Sequence, residues 1–277
     1  MTLNRLNAAL CVLLMIFQLN TARSQSTPLT NGFAHNDYLH KHPLFDALQN
    51  GYANIEADIF LRSNKLVVAH INPYFKSHRQ LENLYLEPLM KQIKENDGLV
   101  YKGYDQSVTL MIDIKTEANS TYAALKPLLE KYKSILTRYE DGKVIYGPVT
   151  VVLSGHKPYD VIKGENNRLA FIDEDLRKVT KGDTTSINMC EMASCKYSQF
   201  LKWKGNGTIS ATEQQKLMDY VAMAHKSGEK VRLWASPDNK AVWNELLKCG
   251  VDLINTDKLV ALKNFLTTNG NLASSTH

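Results

Sequence analysis

Glu56 and Asp58 alternate with apolar neighbours in Ile55-Glu56-Ala57-Asp58-Ile59. Residues i and i+2 of a strand point to one side, roughly 7 Å apart. Two carboxylates sharing an enclosed space repel unless a positive charge lies between them. A hard divalent cation, Mg²⁺ or Ca²⁺, meets that need because it prefers carboxylate oxygen; the plainer alternative is an edge strand with both acids in water. Asp113 and Lys115 repeat the pattern in Leu110-Met111-Ile112-Asp113-Ile114-Lys115, with the two isoleucines facing the other way. Asp113 would complete a three-carboxylate set. Lys115 would either hold a phosphate oxygen as a point charge or form an ordinary ion pair at the strand end. His35 closes one strand-like run and His70 another, in Leu66-Val67-Val68-Ala69-His70. Histidine titrates near neutrality and can serve as general base or general acid. A lone strand-end histidine is usually structural, but two bracketing a carboxylate pair point to proton transfer. Cleavage of a phosphodiester needs both roles, with water or a neighbouring substrate hydroxyl as nucleophile. Which histidine plays which part stays open.

These residues need elements to hold them together. Apolar, strand-like runs occur near Gly32–His35, Ala53–Ile59, Val108–Ile114, Val149–Leu153, Leu169–Ile172, Ser186–Met189, Val231–Trp234 and Asp252–Asn255. Helical patterns fall between most of them: Leu84–Lys94, Ser120–Leu136, Ala211–Ser227, Asn239–Leu247 and Lys258–Leu266. An extra strand, Lys65–His70, is expected to pair with the second through an Arg62-Ser63-Asn64 turn. Eight strands with intervening helices predict a parallel sheet covered by helices. The count and the length favour closure into a single-domain TIM (β/α)₈ barrel over 31–270. An open doubly wound sheet is the alternative, but no Gly-rich phosphate loop follows any strand.

In order along the chain, His35, the Glu56/Asp58 pair, His70 and the Asp113-x-Lys115 strand resemble the superfamily of glycerophosphodiester phosphodiesterases, phosphatidylinositol-specific phospholipases C and sphingomyelinase D-like enzymes. Ala34-His35-Asn36-Asp37-Tyr38 looks like a branch of it found in bacteria and fungi. Leu233-Trp234 and the Gly250–Asp257 segment resemble the family's closing strands, so the likeness runs from about Asn31 to about Leu266. The resemblance implies a TIM barrel, a divalent ion held by Glu56, Asp58 and Asp113, and His35 and His70 as acid and base. It also implies phosphate stabilisation by Lys115, a pocket lined by Trp234, and Asn36 in contact with substrate. The chain departs from the pattern where many glycerophosphodiesterases have His-Arg-Gly. Here His35-Asn36-Asp37 lacks the arginine, and Arg62 or Arg232 are the available substitutes. Ile71 follows His70 where Asp is common. Asp113 replaces a frequent Glu, as in the sphingomyelinase D branch. These departures bear on the substrate, a small-molecule or lipid phosphodiester, more than on the reaction class.

The 277 residues carry 44% hydrophobic and 22% charged side chains, an ordinary globular balance that suits one large core. Arg5, the apolar Leu6–Leu19 stretch and small residues at Ala22 and Ser24 read as a cleaved signal peptide over 1–24, followed by a polar leader over 25–30. This predicts a secreted or periplasmic protein. Cleavage would remove Arg5 and Arg23 and no acid, taking the net charge from +5 to +3. That is too mild to argue for nucleic acid, and no basic run with interleaved aromatics is present; peripheral contact with membrane lipid is compatible with it. Cys190, Cys195 and Cys249 would remain. A Cys190–Cys195 disulfide and three buried thiols are both open. His40-Lys41-His42, with His156 and His225, could instead form an amidohydrolase metal site, but that leaves Glu56 and Asp58 unexplained. A barrel that binds phosphorylated headgroups without cleaving them is the non-enzymatic alternative.

Overall fold

The computed structural model describes residues 27–73, 79–179 and 188–274. The expected signal segment, 1–24, lies outside them. Eight parallel strands form the central sheet: β1 (Leu29–Ala34), β2 (Tyr52–Arg62), β4 (Val108–Ile114), β7 (Val149–Gly155), β8 (Phe171–Asp175), β9 (Cys190–Lys196), β10 (Lys230–Trp234) and β11 (Ile254–Thr256). From β1 to β10 each pairs with its neighbour in that order, and β1 also pairs with β11. The last seam, between β10 and β11, is held by a parallel bridge from Arg232 to Leu253 and by the amides of Asp252 and Leu253 on the Val231 carbonyl. The sheet is therefore a nearly closed barrel, as expected from the strand count.

Helices pack outside: α1 (Phe45–Gln49), α2 (Glu87–Glu95), α3 (Ala118–Lys131), α4 (Tyr159–Gly164), α5 (Tyr197–Phe200), α6 (Ala211–Lys226), α7 (Lys240–Lys248) and α8 (Leu259–Ser274). Their starts follow local chemistry. The Ser210 hydroxyl accepts from the Glu213 amide, and Asn239 Oδ1 accepts from the Val242 amide, each satisfying an otherwise orphaned donor of the first turn. The larger apolar core lies between strands and helices; a smaller cluster of Phe33, Met111, Val152, Phe171, Met192 and Leu253 fills the middle of the barrel.

Several boundaries differ from expectation. The strand anticipated at Ser186–Met189 is Cys190–Lys196; residues 186–187 lie outside the described residues, and Asn188 and Met189 form a turn. Nothing in Cys-Glu-Met-Ala-Ser-Cys-Lys is β-branched or aromatic, so propensity hides the strand. The helix anticipated over Ser120–Leu136 ends at Lys131, because Leu136 must already be extended to bridge Val149. The last helix runs past the anticipated Lys258–Leu266 and past the expected barrel boundary at 270, to Ser274. A hairpin of β5 (Arg138–Glu140) and β6 (Lys143–Ile145) was not anticipated, although Asp141-Gly142, both with positive φ, is a strong two-residue turn signal. Cys190 and Cys195 open and nearly close the same strand, too far apart to be bridged, and all three described cysteines are free and buried.

Candidate active site

The barrel strands run from an N-terminal to a C-terminal mouth, and their inward parity decides what lines each level. On β2 and β4, Asp58 stands beside Asp113 in register, while Glu56 lies one inward position deeper, beside Met111. Ser154 of β7 is level with Asp113. Next to it, Gly155 adopts φ +68°, and any Cβ there would overlap Asp113 Oδ1 and the Ile114 carbonyl, so the third carboxylate depends on a glycine neighbour. Oxygens of Glu56, Asp58 and Asp113 lie within 4.8 Å of one another.

Cations surround this trio. Arg232, almost fully buried, places Nη1 3.3 Å from Glu56 Oε1 and Nη2 3.8 Å from Asp173 Oδ2. Its Nη1 donates to Asn255 Oδ1, and its guanidinium lies 4.2 Å above the Phe33 ring centroid. Lys115 Nζ spans Asp58 Oδ2 at 3.2 Å and Asp113 Oδ1 at 3.1 Å. Burial alone would raise the Glu56 pKa, but Arg232 and then His35 outweigh it, so this carboxyl titrates below its ordinary value. Asp58 is raised by burial and by the Glu56 charge, against the pull of Lys115. Burial lifts Asp113 to about 6, with Lys115 opposing and the other two acids adding to the rise.

His35 follows β1. Its Nδ1 is 2.7 Å from Asp257 Oδ1 and its Nε2 is 3.6 Å from Glu56 Oε2. Burial would lower its pKa, but the Asp257 hydrogen bond and the Glu56 charge outweigh that and raise it. His70 arrives by a different route. β2 continues beyond the barrel rim, and β3 (Lys65–Val68) folds back antiparallel to it, which returns His70 to the level of Asp58. Its Nδ1 is 3.5 Å from Asp58 Oδ2 and 3.0 Å from the Tyr38 hydroxyl. Tyr38 donates to Asp58 Oδ2 at 2.7 Å and also lies 2.7 Å from Asn36 Oδ1.

Of the residues expected at the site, His35, Glu56, Asp58, His70, Asp113 and Lys115 converge. Asn36 is held in place rather than open: its amide nitrogen lies 2.9 Å from His35 Nδ1, and its backbone N–H donates to Glu56 Oε2. Asn36 sits at φ +49°, a left-handed conformation that asparagine tolerates. Trp234 stands at the rim with Lys196 Nζ 5.6 Å from its ring centroid. Neither substitute for the missing arginine is free at the mouth: Arg232 is sealed beneath Glu56, and Arg62 donates to Asn72 Oδ1. Tyr38, Asp257 and Asp173 went unassigned in the sequence, although Tyr38 and Asp257 lie within the motifs that carry the resemblance. Asp37 has a structural role, accepting from the Leu44 amide at 2.6 Å and the Tyr85 hydroxyl at 2.9 Å. The amidohydrolase arrangement fails on geometry, since His225 pairs with Asp252 just before β11, at the opposite mouth from the His40–His42 loop.

Among the described residues, Glu174, Cys190 and Glu229 form one other close trio. Burial, then Glu174 and Glu229, push the Cys190 thiol upward, away from the thiolate a metal would need.

A barrel with acids and histidines gathered at its C-terminal mouth is the layout of the glycerophosphodiester phosphodiesterase-like superfamily. The solved glycerophosphodiester phosphodiesterase from Parabacteroides distasonis shares this fold, with a TM-score of 0.55 and 14% identity over 88% of this chain and 100% of that one. Residues 23–173 match the AIM6-like phosphodiesterase domain, and residues 230–259 match the glycerophosphoryl diester phosphodiesterase family. The chain belongs to the AIM6-like phosphodiesterase family. It is 31% identical to altered inheritance of mitochondria protein 6 of Eremothecium gossypii, over 86% of this chain and 69% of that protein. It is 28% identical to the homologue from Arthroderma benhamiae, over 93% of this chain and 94% of that protein.

Proposed function

We propose that this protein is a secreted, divalent-cation-dependent phosphodiesterase that cleaves glycerophosphodiester or (lyso)phospholipid-type substrates, with His35 and His70 as its proton-transfer pair. The observation that carries the reading is the placement of the two histidines. They flank one carboxylate trio, and each has its own acidic partner, Asp257 for His35 and Asp58 for His70. A surface that only bound headgroups would have no use for two ring nitrogens so held.

The residues present fit a cation. Three hard oxygen donors converge, and Asp58 and Asp113 both resist ionisation when only Lys115 balances them. Glu56, Asp58 and Asp113 would hold it, as Mg²⁺ or Ca²⁺, and when bound it would polarise a phosphoryl oxygen. The chain's own residues do the rest. Arg232 fixes Glu56 in its ionised state from below. Lys115, between two carboxylates, is placed to turn toward phosphate once their charge is otherwise balanced. Asp257 orients the His35 ring, leaving Nε2 directed at the trio; Tyr38 and Asp58 hold the His70 ring through Nδ1. One imidazole takes the proton of the attacking water or substrate hydroxyl, and the other gives a proton to the departing alcohol.

Exposed Leu39 and Ile71 follow Tyr38 and His70, and Trp234 is exposed at the rim, apolar surface that suits acyl chains or a lipid surface. No helix among the described residues is long and apolar enough to cross a membrane. Secretion rests on the signal-like 1–24 segment.

The test is phosphorus NMR of the protein from residue 25 onward with glycerophosphocholine, lysophosphatidylcholine and glycerophosphoinositol, each with Mg²⁺, Ca²⁺ or chelator. A monoester or cyclic phosphate signal that chelator removes, and that Asp58→Asn lacks while staying folded, supports the reading. Full activity in Asp58→Asn would sink the cation assignment. No turnover under any condition, with headgroup binding retained, would favour a binding barrel.

A further inference from the structure

Below the apolar plug of Phe33, Met111, Val152, Phe171, Met192 and Leu253, the barrel opens again. A cavity of about 470 Å³ lies at the N-terminal mouth, lined from β1, β2, β4, β7, β9 and β10 and the loops that enter them. That volume falls within the roughly 300–1,000 Å³ of small-molecule sites. Its lining has a definite chemistry. Thr30, Asn54, Thr109 and Thr150 supply hydroxyls and an amide, Tyr104 and Tyr146 supply two phenol rings, and Glu191 faces Lys230. Among the described residues, no side-chain hydrogen bond engages Thr30, Thr109 or Glu191, so these groups face water or a ligand.

We propose that this N-terminal cup is a second binding site, for a neutral polyhydroxylated ring of monosaccharide size. Charge excludes the other classes. An anion would meet Asp105, Glu191 and Asp252 against a single lysine, and a cation would find Asp252 held by His225 and the Val231 amide, Asp105 by Gln106, and Glu191 under the pull of Lys230. An apolar ligand would strip water from threonine hydroxyls and leave them unpaired. A sugar or cyclitol satisfies both halves of the lining. Its vicinal hydroxyls donate to carboxylate and amide oxygen and accept from hydroxyls. Its C–H face packs on a tyrosine ring. Burial raises the Glu191 pKa against the pull of Lys230, as expected for a carboxylate set inside the cup rather than on open surface.

The site is independent of the phosphodiesterase chemistry, because the apolar plug separates the two. Saturation-transfer NMR and titration would use methyl α-glucopyranoside, methyl α-mannopyranoside, N-acetylglucosamine and myo-inositol. At least one should bind saturably, and glycerophosphocholine should not displace it. Glu191→Gln, which removes one charged hydrogen-bond partner, should weaken binding about tenfold. Tyr146→Ala should weaken it too, and because Tyr146 is 68% exposed its removal leaves the core intact. Absence of transfer from all four, transfer indifferent to both substitutions, or displacement by glycerophosphocholine would each overturn the proposal.

Discussion

The two ends of the barrel interior are made from the same strands with the same inward parity, yet their side chains follow opposite rules. At the C-terminal end, Glu56, Asp58, Asp113 and Asp173 share the space with Arg232 and Lys115, and the charged groups are tied to one another. At the N-terminal end, the positions one or two inward steps earlier on the same strands are Asn54, Thr109 and Thr150, which are neutral. Between them lies the apolar plug. The contrast separates stability from chemistry: inside the barrel the buried charges of the C-terminal end answer one another, and that end is where barrel enzymes work.

The largest effect expected from breaking this contrast comes from Arg232. Arg232→Met would leave Glu56 and Asp173 facing each other without their shared cation. Removing one partner of a buried ion pair costs about 3–5 kcal/mol. Chemical denaturation should show a loss of that order, and Mg²⁺ or Ca²⁺ should restore part of it if the trio holds a cation. A variant as stable as wild type would mean that the upper site does not depend on internal charge balance.

Asp37 sharpens the comparison, being a buried acid outside the trio. Burial raises its pKa to about 6, despite hydrogen bonds from Leu44 and Tyr85. An acid raised on folding binds more protons in the native state, so its contribution to stability falls as pH climbs from about 4 to about 6. About two units correspond to about 3 kcal/mol at most. Asp37→Asn cannot ionise, so relative to wild type it should gain stability across that window and plateau above it. Parallel pH curves for the two proteins would show that Asp37 does not titrate there.

The legible part of the molecule was the part with strong periodicity. β2, β4, β7 and β10 are rich in Val, Ile, Leu and aromatic residues, and five of the six residues that converge at the mouth lie on or beside these strands and β1 in short, ordered motifs. The sixth, His70, rides on the extra strand, whose pairing with β2 is also readable. β9 was displaced because Cys, Met, Ala and Ser carry no strand signal, and the strand exists through its pairing with β8 and β10. The partners of the histidines were hidden for another reason. Asp257 reaches His35 only because the barrel closes β11 against β1, and a contact across 222 residues leaves no local trace. Arg232 could be guessed as a phosphate ligand but not placed beneath Glu56 until the closure was known.

Asp257 offers the next effect in size. Asp257→Asn removes the hydrogen bond that, with Glu56, holds the His35 pKa above its ordinary value. A loss of about 10–100-fold in kcat is expected, within the range that positioned acid–base groups supply. The pH profile carries more information than the rate. The limb that reports His35 should move to lower pH in the variant. If the acidic limb moves, His35 works deprotonated, as the base; if the alkaline limb moves, it works protonated, as the acid. A profile unmoved on both sides would remove His35 from proton transfer.

The smallest effect belongs to the N-terminal end. Thr150 is buried, and its hydroxyl lies 2.7 Å from that of Thr137. Thr150→Val keeps the shape and removes one hydroxyl, leaving Thr137 close to the Gly147 carbonyl and amide. A single neutral hydrogen bond contributes about 1 kcal/mol, so stability should fall by about that much. Phosphodiester turnover should not change, because the plug lies between Thr150 and the acids on the same strands. If turnover instead fell along with stability, the two ends would be coupled through β4 and β7, and the division of the interior into a working end and a separate N-terminal end would not hold.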